Sequence, residues 1–334
     1  MKLTATAPCR VDVAGGTLDI WPLYLYHPGS VTVNFAITRY ASCVLETRAD
    51  GKIILRSKDL AGVETFESLD ALKAARQYRL PLLAHLIRFF SPRAGFELST
   101  DSEAPAGAGI AGSSTLIIAI VSVLNRLTGA GHRPEQLRQI SQNIEAQIIR
   151  VPTGAQDYYP AMYGGVGAVT LGVAGIGREP IPVDLADFNE RIVLAYTGAP
   201  RQSGINNWEV MKAHINGNRR VHRNFDGIAA IARAMRSALE KSDWNEAGRL
   251  LRQEWDHRRK NIPSISTPLI DRLVRVTRRA GAMGAKVCGA GGGGCVFFLV
   301  ERGAKQRVAA LIEREGAGVL PVEVAPRGVR VRVL

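Results

Sequence analysis

The sequence predicts a two-domain α+β protein with a cleft between the domains. Length points to two domains, because 334 residues exceed the roughly 100–200 residues that one core ordinarily organises. Order points to α+β: strand signals crowd the first part of the chain and long polar helices dominate the second. Composition agrees with a folded chain, at 46% apolar and 22% charged residues, ordinary for a globular protein.

Taken in order, residues 3–14, 31–48 and 52–57 are rich in Val, Ile, Thr and Ala with partial alternation, which suits strands joined by turns at Pro28-Gly29 and Asp50-Gly51. From Pro81 to Phe90 the residues Leu82, Leu83, Leu86, Ile87 and Phe90 recur at helical spacing, and a further strand is expected from Gly95 to Thr100. A Gly-rich turn then leads through Ser113 and Ser114 into an apolar helix ending near Leu127, with Gly129 as its stop. The next helix starts at Pro134, carries Leu137, Ile140, Ile144 and Ile148 on one face, and is closed by Pro152. A loop and short strands follow. Polar helices are expected at about 203–217, 219–241, 243–260 and 267–281, then strand, helix and strand. With no repeat or low-complexity linker, the boundary is set near residue 185, giving units 1–185 and 186–334.

Several function classes recede on composition. The longest apolar stretch, Leu116 to Leu124, is about half the roughly 20 residues needed to cross a bilayer. Met1 to Arg10 lacks the apolar centre of a secretory signal, and Cys9, Cys43, Cys288 and Cys295 show no CxxC spacing, so free thiols and a cytoplasmic location are expected. The formal charge of +13 raises nucleic acid as a partner, but the runs Arg219 to Arg223 and Arg258 to Lys260 read as solvated helix faces without interleaved aromatics. A small-molecule partner is expected, with neither nucleic acid nor membrane.

Four segments can carry chemistry. In Pro105 to Ser114, Gly107, Gly109 and Gly112 let the backbone approach a ligand, and the helix after Ser113 aims free N–H groups and a positive dipole end at it. That is a site for an anion, best a phosphate, although such a turn can also merely join strand to helix. In Lys286 to Gly294, a run of five glycines, at 289 and 291–294, costs conformational entropy to order, which favours close passage beside a ligand over a bare turn. Asp157 lies twelve residues after Glu145. Two carboxylates near a phosphate loop can divide metal holding from orienting a hydroxyl, while Glu145 alone can equally be a solvated helix residue. Finally, Ala7 to Asp19 ends a strand in a double-Gly turn flanked by Arg10 and Asp19, a fixed cation and an acceptor for polyol hydroxyls.

In this order the four segments resemble the GHMP kinases, named for galactokinase, homoserine kinase, mevalonate kinase and phosphomevalonate kinase. Within the family the sequence is similar to sugar kinases, in particular heptose-phosphate kinases, through Ala14-Gly15-Gly16, Tyr163-Gly164-Gly165, Tyr196-Thr197-Gly198 with Arg201 and Ser203, and Trp255 before a basic cluster. The resemblance implies a ribosomal protein S5 domain 2-like N-terminal domain and a ferredoxin-like C-terminal α/β sandwich. It implies ATP and Mg²⁺ as cofactors and a sugar or sugar-phosphate hydroxyl, with the anomeric C1 favoured, as acceptor. Asp157 would be the catalytic carboxylate and Arg10 its cationic neighbour. Pro105, Gly107, Ala108, Gly109, Ile110, Ala111, Gly112, Ser113, Ser114 and Thr115 would hold the nucleotide, with Ser113 and Glu145 on the metal. Gly15, Gly16, Thr17, Asp19, Tyr163, Arg201, Gly291, Gly292 and Gly293 would face the substrate, Arg201 holding a phosphate already on the sugar. A monomer or homodimer is expected.

The chain departs from the family pattern in places. Ile110 and Ala111 stand where many relatives have Leu and Gly, and Gly112 is an extra residue before the serines, so the metal ligand is Ser113 or Ser114. Tyr158 replaces the common Gln after the catalytic Asp, and Cys288 a usual Ser or Thr. A kinase for another small alcohol, or a non-catalytic ATP or sugar binder, are the competing readings.

Overall fold

The computed structural model describes residues 1–198 and 205–334, with side chains left aside at 205 and 206. Strands are β1 (Lys2–Ala14), β2 (Val31–Arg48), β3 (Ile53–Ser57), β4 (Gly62–Phe66), β5 (Gly95–Ser102), β6 (Val166–Gly172), β7 (Gly175–Pro180), β8 (Ile192–Tyr196), β9 (Ala282–Val287), β10 (Cys295–Val300), β11 (Gly318–Leu320) and β12 (Arg330–Val333). Helices are α1 (Leu69–Ala74), α2 (Pro81–Phe90), α3 (Gly112–Thr128), α4 (Pro134–Ile149), α5 (Tyr158–Tyr163), α6 (Leu185–Asn189), α7 (Ile205–Ile215), α8 (Arg219–Glu240), α9 (Trp244–Asn261), α10 (Pro268–Arg278) and α11 (Lys305–Arg314).

The first sheet runs β12-β1-β2-β5-β3-β4. Its spine is the antiparallel pair β1 and β2, in register from Lys2 opposite Glu46 to Ala14 opposite Val33 with shifts at Pro8/Cys9 and Asp12/Ala14. The long β2 serves two further neighbours: Val31 to Phe35 pair with β6, Ala41 to Arg48 with β5. On one face α3 buries nearly every apolar residue from Leu116 to Leu124 against Leu3, Ala5, Ala7, Cys43 and Leu45. The stretch too short for a membrane is the central core helix.

The second sheet has the order β11-β8-β10-β9, all antiparallel. With β8 as first strand this is the 4-1-3-2 arrangement of a ferredoxin-like unit, as expected. The two sheets share a core: Val11, Val33 and Phe35 of the first meet Leu194, Phe297 and Leu299 of the second under α8 and α9. The Phe35 and Phe297 rings lie edge to face, 5.5 Å between centroids.

Several elements were not foreseen. β4, α1, α5 and α6 are each six residues or fewer, too short to show a period, whereas the short strands expected after Pro152 are there as the β6–β7 hairpin. The last strand differs more deeply: β12 pairs with β1, Leu3 opposite Val333. A single cut near residue 185 therefore separates β12 from the sheet it completes.

Candidate active site

The loop between β5 and α3 is built to meet an anion. Gly107 and Gly109 have φ of 67° and 80°, where glycine is at ease. No side chain caps α3, and its first residues Gly112, Ser113 and Ser114 line the cleft, so its first N–H groups are free to meet a ligand there. The loop is tied from behind: Arg10 donates its backbone N–H to Ile110 O at 3.0 Å and Nη1 to Gly109 O at 2.6 Å.

The second glycine run turns between β9 and β10 and lies against the first loop. Cys295 donates its N–H to Ala108 O at 2.7 Å. Gly294, at φ 75°, comes so near that a Cβ would stand 2.7 Å from Ala108 O and 2.8 Å from Gly107 O. The two runs, far apart in sequence, wall one cleft of about 420 Å³.

The carboxylates flank it. Glu145, buried on α4, accepts from Ser113 Oγ at 2.8 Å, from Ser114 Oγ at 3.1 Å and from Tyr158 Oη. Burial holds its carboxyl above the ordinary range, the three hydroxyl donors opposing. One carboxylate and two hydroxyls form a hard-oxygen donor set, which suits Mg²⁺ rather than a softer ion. Asp157 precedes α5, partly open to the cleft, and its Oδ1 accepts from Arg10 Nε and Nη2 at 3.0 and 2.7 Å. Asp19 also lines the cleft and accepts from Gln156 N at 2.9 Å and Gln156 Nε2 at 3.2 Å. Burial, with the neighbouring charge of Asp157, pushes Asp19 up to about 6.

Beneath these lies a group of charges that sequence reasoning missed. Asp12, buried on β1, meets Lys286 Nζ at 2.5 Å, Arg258 Nη1 at 3.5 Å and Arg10 Nη1 at 3.7 Å, and accepts from Gly289 N at 3.1 Å. Lys286 also faces Glu254 at 3.7 Å, and Glu254 accepts from Gly15 N at 3.1 Å. Burial alone would raise Asp12, but Lys286, Arg10 and Arg258 together hold it well below the carboxylate range. With Asp157 the group holds three cations and three carboxylates. The available signal was an Asp inside the first motif and a Lys opening the second glycine run.

Of the expected nucleotide set, Pro105, Gly107, Ala108, Gly109, Ala111, Gly112, Ser113 and Ser114 line the cleft, while Ile110 and Thr115 are buried behind it. On the substrate side Gly16, Thr17 and Asp19 line it, and Thr17 Oγ1 donates to Asn207 Oδ1 of α7 at 3.3 Å. Gly15 is turned inward, its N–H spent on Glu254. Gly291 to Gly293 are displaced from the expected role: Gly291 and Gly292 pack on Ile265 and Ser264, and Gly289 and Ala290 line the cleft instead. Tyr163 sits at the far end of α5, exposed, donating to Glu135 Oε1 at 3.2 Å and stacked under Arg178, because one short helix separates it from Asp157. Arg201 and Ser203 lie outside the described residues.

Comparison with known proteins fits this architecture. Residues 71–165 match the model of the GHMP kinases N terminal domain, and residues 235–317 that of the GHMP kinases C terminal, together more than half of the chain. The chain belongs to the GHMP kinase family. This GHMP kinase is 25% identical over 341 residues to the D-glycero-alpha-D-manno-heptose 7-phosphate kinase of Campylobacter jejuni, covering 99% of both chains. It is 24% identical to the galactokinase of Pyrococcus furiosus, covering 94% of this chain and 93% of that one. Among solved structures, a D-glycero-D-manno-heptose 1-phosphate kinase from Bacteroides thetaiotaomicron superposes with TM-score 0.80 at 22% identity over 99% of each chain. A Lactococcus lactis galactokinase complexed with galactose does so with TM-score 0.82 at 21% identity, over 98% of this chain and 95% of that one. As a GHMP kinase the chain is an enzyme of phosphoryl transfer to an alcohol. No helix among the described residues is long and apolar enough to cross a membrane.

Proposed function

We propose that this kinase transfers the γ-phosphoryl group of ATP to a hydroxyl of a sugar phosphate, the favoured acceptor being the anomeric C1 hydroxyl of a heptose 7-phosphate. The observation that carries the reading is the placement of Asp157: a carboxylate held by Arg10, partly open to a cleft that the uncapped start of α3 also lines. Phosphoryl transfer needs placement and charge neutralisation more than covalent work. The loop N–H groups and the start of α3 would receive the phosphates, Ser113 or Ser114 with Glu145 would hold Mg²⁺, and Asp157 would orient the acceptor and take its proton. Mg²⁺, when bound there, would offset the charge of the phosphate oxygens. Arg10 would serve twice, fixing the Asp157 carboxylate and, through Gly109 O, the loop. Asp19, backed by Gln156, would accept a sugar hydroxyl. The similarity to a heptose 7-phosphate kinase along its whole length supports the substrate class.

The test is a coupled ADP-release assay across hexoses, heptoses and their phosphates, on wild type and Asp157→Asn. Turnover should be highest on a heptose 7-phosphate and should fall about 10²–10⁴-fold in the variant. Turnover close to wild type in Asp157→Asn overturns the role of Asp157; a preference for mevalonate or an amino acid overturns the sugar.

A further inference from the structure

Outside the cleft, the described residues bring three histidines together from three segments: His27 in the β1–β2 connection, His214 in the last turn of α7 and His222 in the first turn of α8, one ligand atom from each within 4.8 Å of the others. His27 and His214 are buried and His222 is half-buried. The Phe225 ring packs against two of them, 5.7 Å from that of His27 and 5.6 Å from that of His214.

The hydrogen bonds assign the protons. His27 Nδ1 lies 2.7 Å from Asp226 Oδ1, an acceptor, so Nδ1 carries the hydrogen and Nε2 keeps its lone pair. His222 Nε2 lies 2.9 Å from His214 O, also an acceptor, so its Nδ1 keeps the lone pair. His27 Nε2 and His214 Nε2 lie 2.9 Å apart, and His214 Nδ1 is buried with no partner. A cation answers several lone pairs at once, and two imidazole nitrogens bound at about 2.0–2.1 Å to one tetrahedral ion stand about 3.3 Å apart, against 2.9 Å between His27 Nε2 and His214 Nε2; the His214 and His222 rings are stacked, 3.7 Å between centroids, so one of them must turn to aim its lone pair at the same ion.

We propose that His27, His214 and His222 form a binding site for one divalent ion of the zinc class. Three neutral imidazoles select such an ion over Mg²⁺ or Ca²⁺, and the Asp226 carboxylate behind His27 is the orienting partner that metal-bound histidines carry. The fourth position is left to water. The ion would pin the end of α7 to the β1–β2 connection and to α8. The same connection carries Thr17, and the first turn of α7 carries Asn207, which meet at the cleft. The site is therefore a brace for the part of the cleft that Thr17 and Asn207 line, independent of which alcohol is phosphorylated.

The experiment uses the untagged full chain, stripped with a chelator, dialysed and reloaded with Zn²⁺ or Co²⁺. Expected are one zinc per chain retained through gel filtration, a tetrahedral Co²⁺ visible spectrum, and a rise in melting temperature on loading. His222→Ala, at a half-buried position, should lose the Co²⁺ spectrum and the thermal shift while still folding by circular dichroism. Asp226→Asn should weaken the ion about 10–100-fold, as loss of an orienting carboxylate does elsewhere. Glu145→Gln should leave the zinc stoichiometry unchanged, which separates this site from the cleft. Sub-stoichiometric zinc in the reloaded wild type, or a His222→Ala variant that binds Co²⁺ like wild type, overturns the proposal.

Discussion

Lys286→Met would test the buried charge group most directly. Lys286 Nζ is wholly buried, 2.5 Å from Asp12 and 3.7 Å from Glu254, itself wholly buried. At an effective dielectric of about 20 the first contact alone is worth about 7 kcal/mol of Coulomb attraction, largely offset by the several kcal/mol needed to desolvate each ion. Removing one partner of such a group costs about 3–5 kcal/mol, because the partners stay buried without it. Asp12 keeps Arg10, Arg258 and Gly289 N, but Glu254 keeps only Gly15 N at hydrogen-bond distance. The loss should therefore fall mainly on Glu254, whose carboxyl burial already raises. Adding Glu254→Gln to Lys286→Met restores equal numbers of cations and anions and should recover about 1–3 kcal/mol, a coupling typical of contacting residues. Urea unfolding followed by circular dichroism measures all four members of the cycle. A single-variant loss below about 1 kcal/mol, or strict additivity, would show that water reaches this group and refute the reasoning.

Other perturbations read other parts of the site. Gly294→Ala places a Cβ 2.7 Å from Ala108 O at φ 75°. Left-handed backbone costs an alanine about 1–2 kcal/mol, so melting temperature should fall and the KM for ATP rise as the two loops part; unchanged ATP kinetics would show that their contact does not matter. The raised Glu145 carboxyl has a definite sign: its stabilising contribution is full below the unfolded pKa and is lost as pH rises through the folded value. Mg²⁺ should relieve that loss, so the thermal shift it produces should be larger at about pH 8 than at about pH 5 and largely vanish in Glu145→Gln. For Asp19, raised from 3.8 to about 6, stability is likewise lost as pH climbs through 6. Asp19→Asn should thus gain at most about 3 kcal/mol at neutral pH and nothing near pH 4, while the KM for the sugar rises. A pH-independent effect on stability would argue that Asp19 is not buried as described.

What could be read from sequence was what is local. The phosphate loop, α3 with its stop at Gly129, and α4 announce themselves through glycine spacing and a helical period, and Ser113, Ser114 and Glu145 do converge as those elements predict. What could not be read was pairing over distance. Asp12 and Lys286 are 274 residues apart, and no pattern near either residue names the other. Tyr158 was noticed only as a departure, yet its hydroxyl donates to Glu145. Tyr163 was misplaced because five residues of helix carry it away from Asp157 to the Glu135 side of α4. The three histidines come from segments whose proximity only the fold creates.

Ala111 begins α3 in a left-handed conformation, φ 63° and ψ 34°, where a side chain is a burden that glycine would escape. A residue does not adopt that pose of its own accord; the surroundings impose it, through Arg10 holding the carbonyl of Ile110 and Cys295 that of Ala108. The loop is thus moulded before any nucleotide arrives, so an incoming phosphate meets a finished cup and forfeits little entropy in ordering it. Swapping this alanine for glycine would make the empty enzyme easier to build and slacker to use.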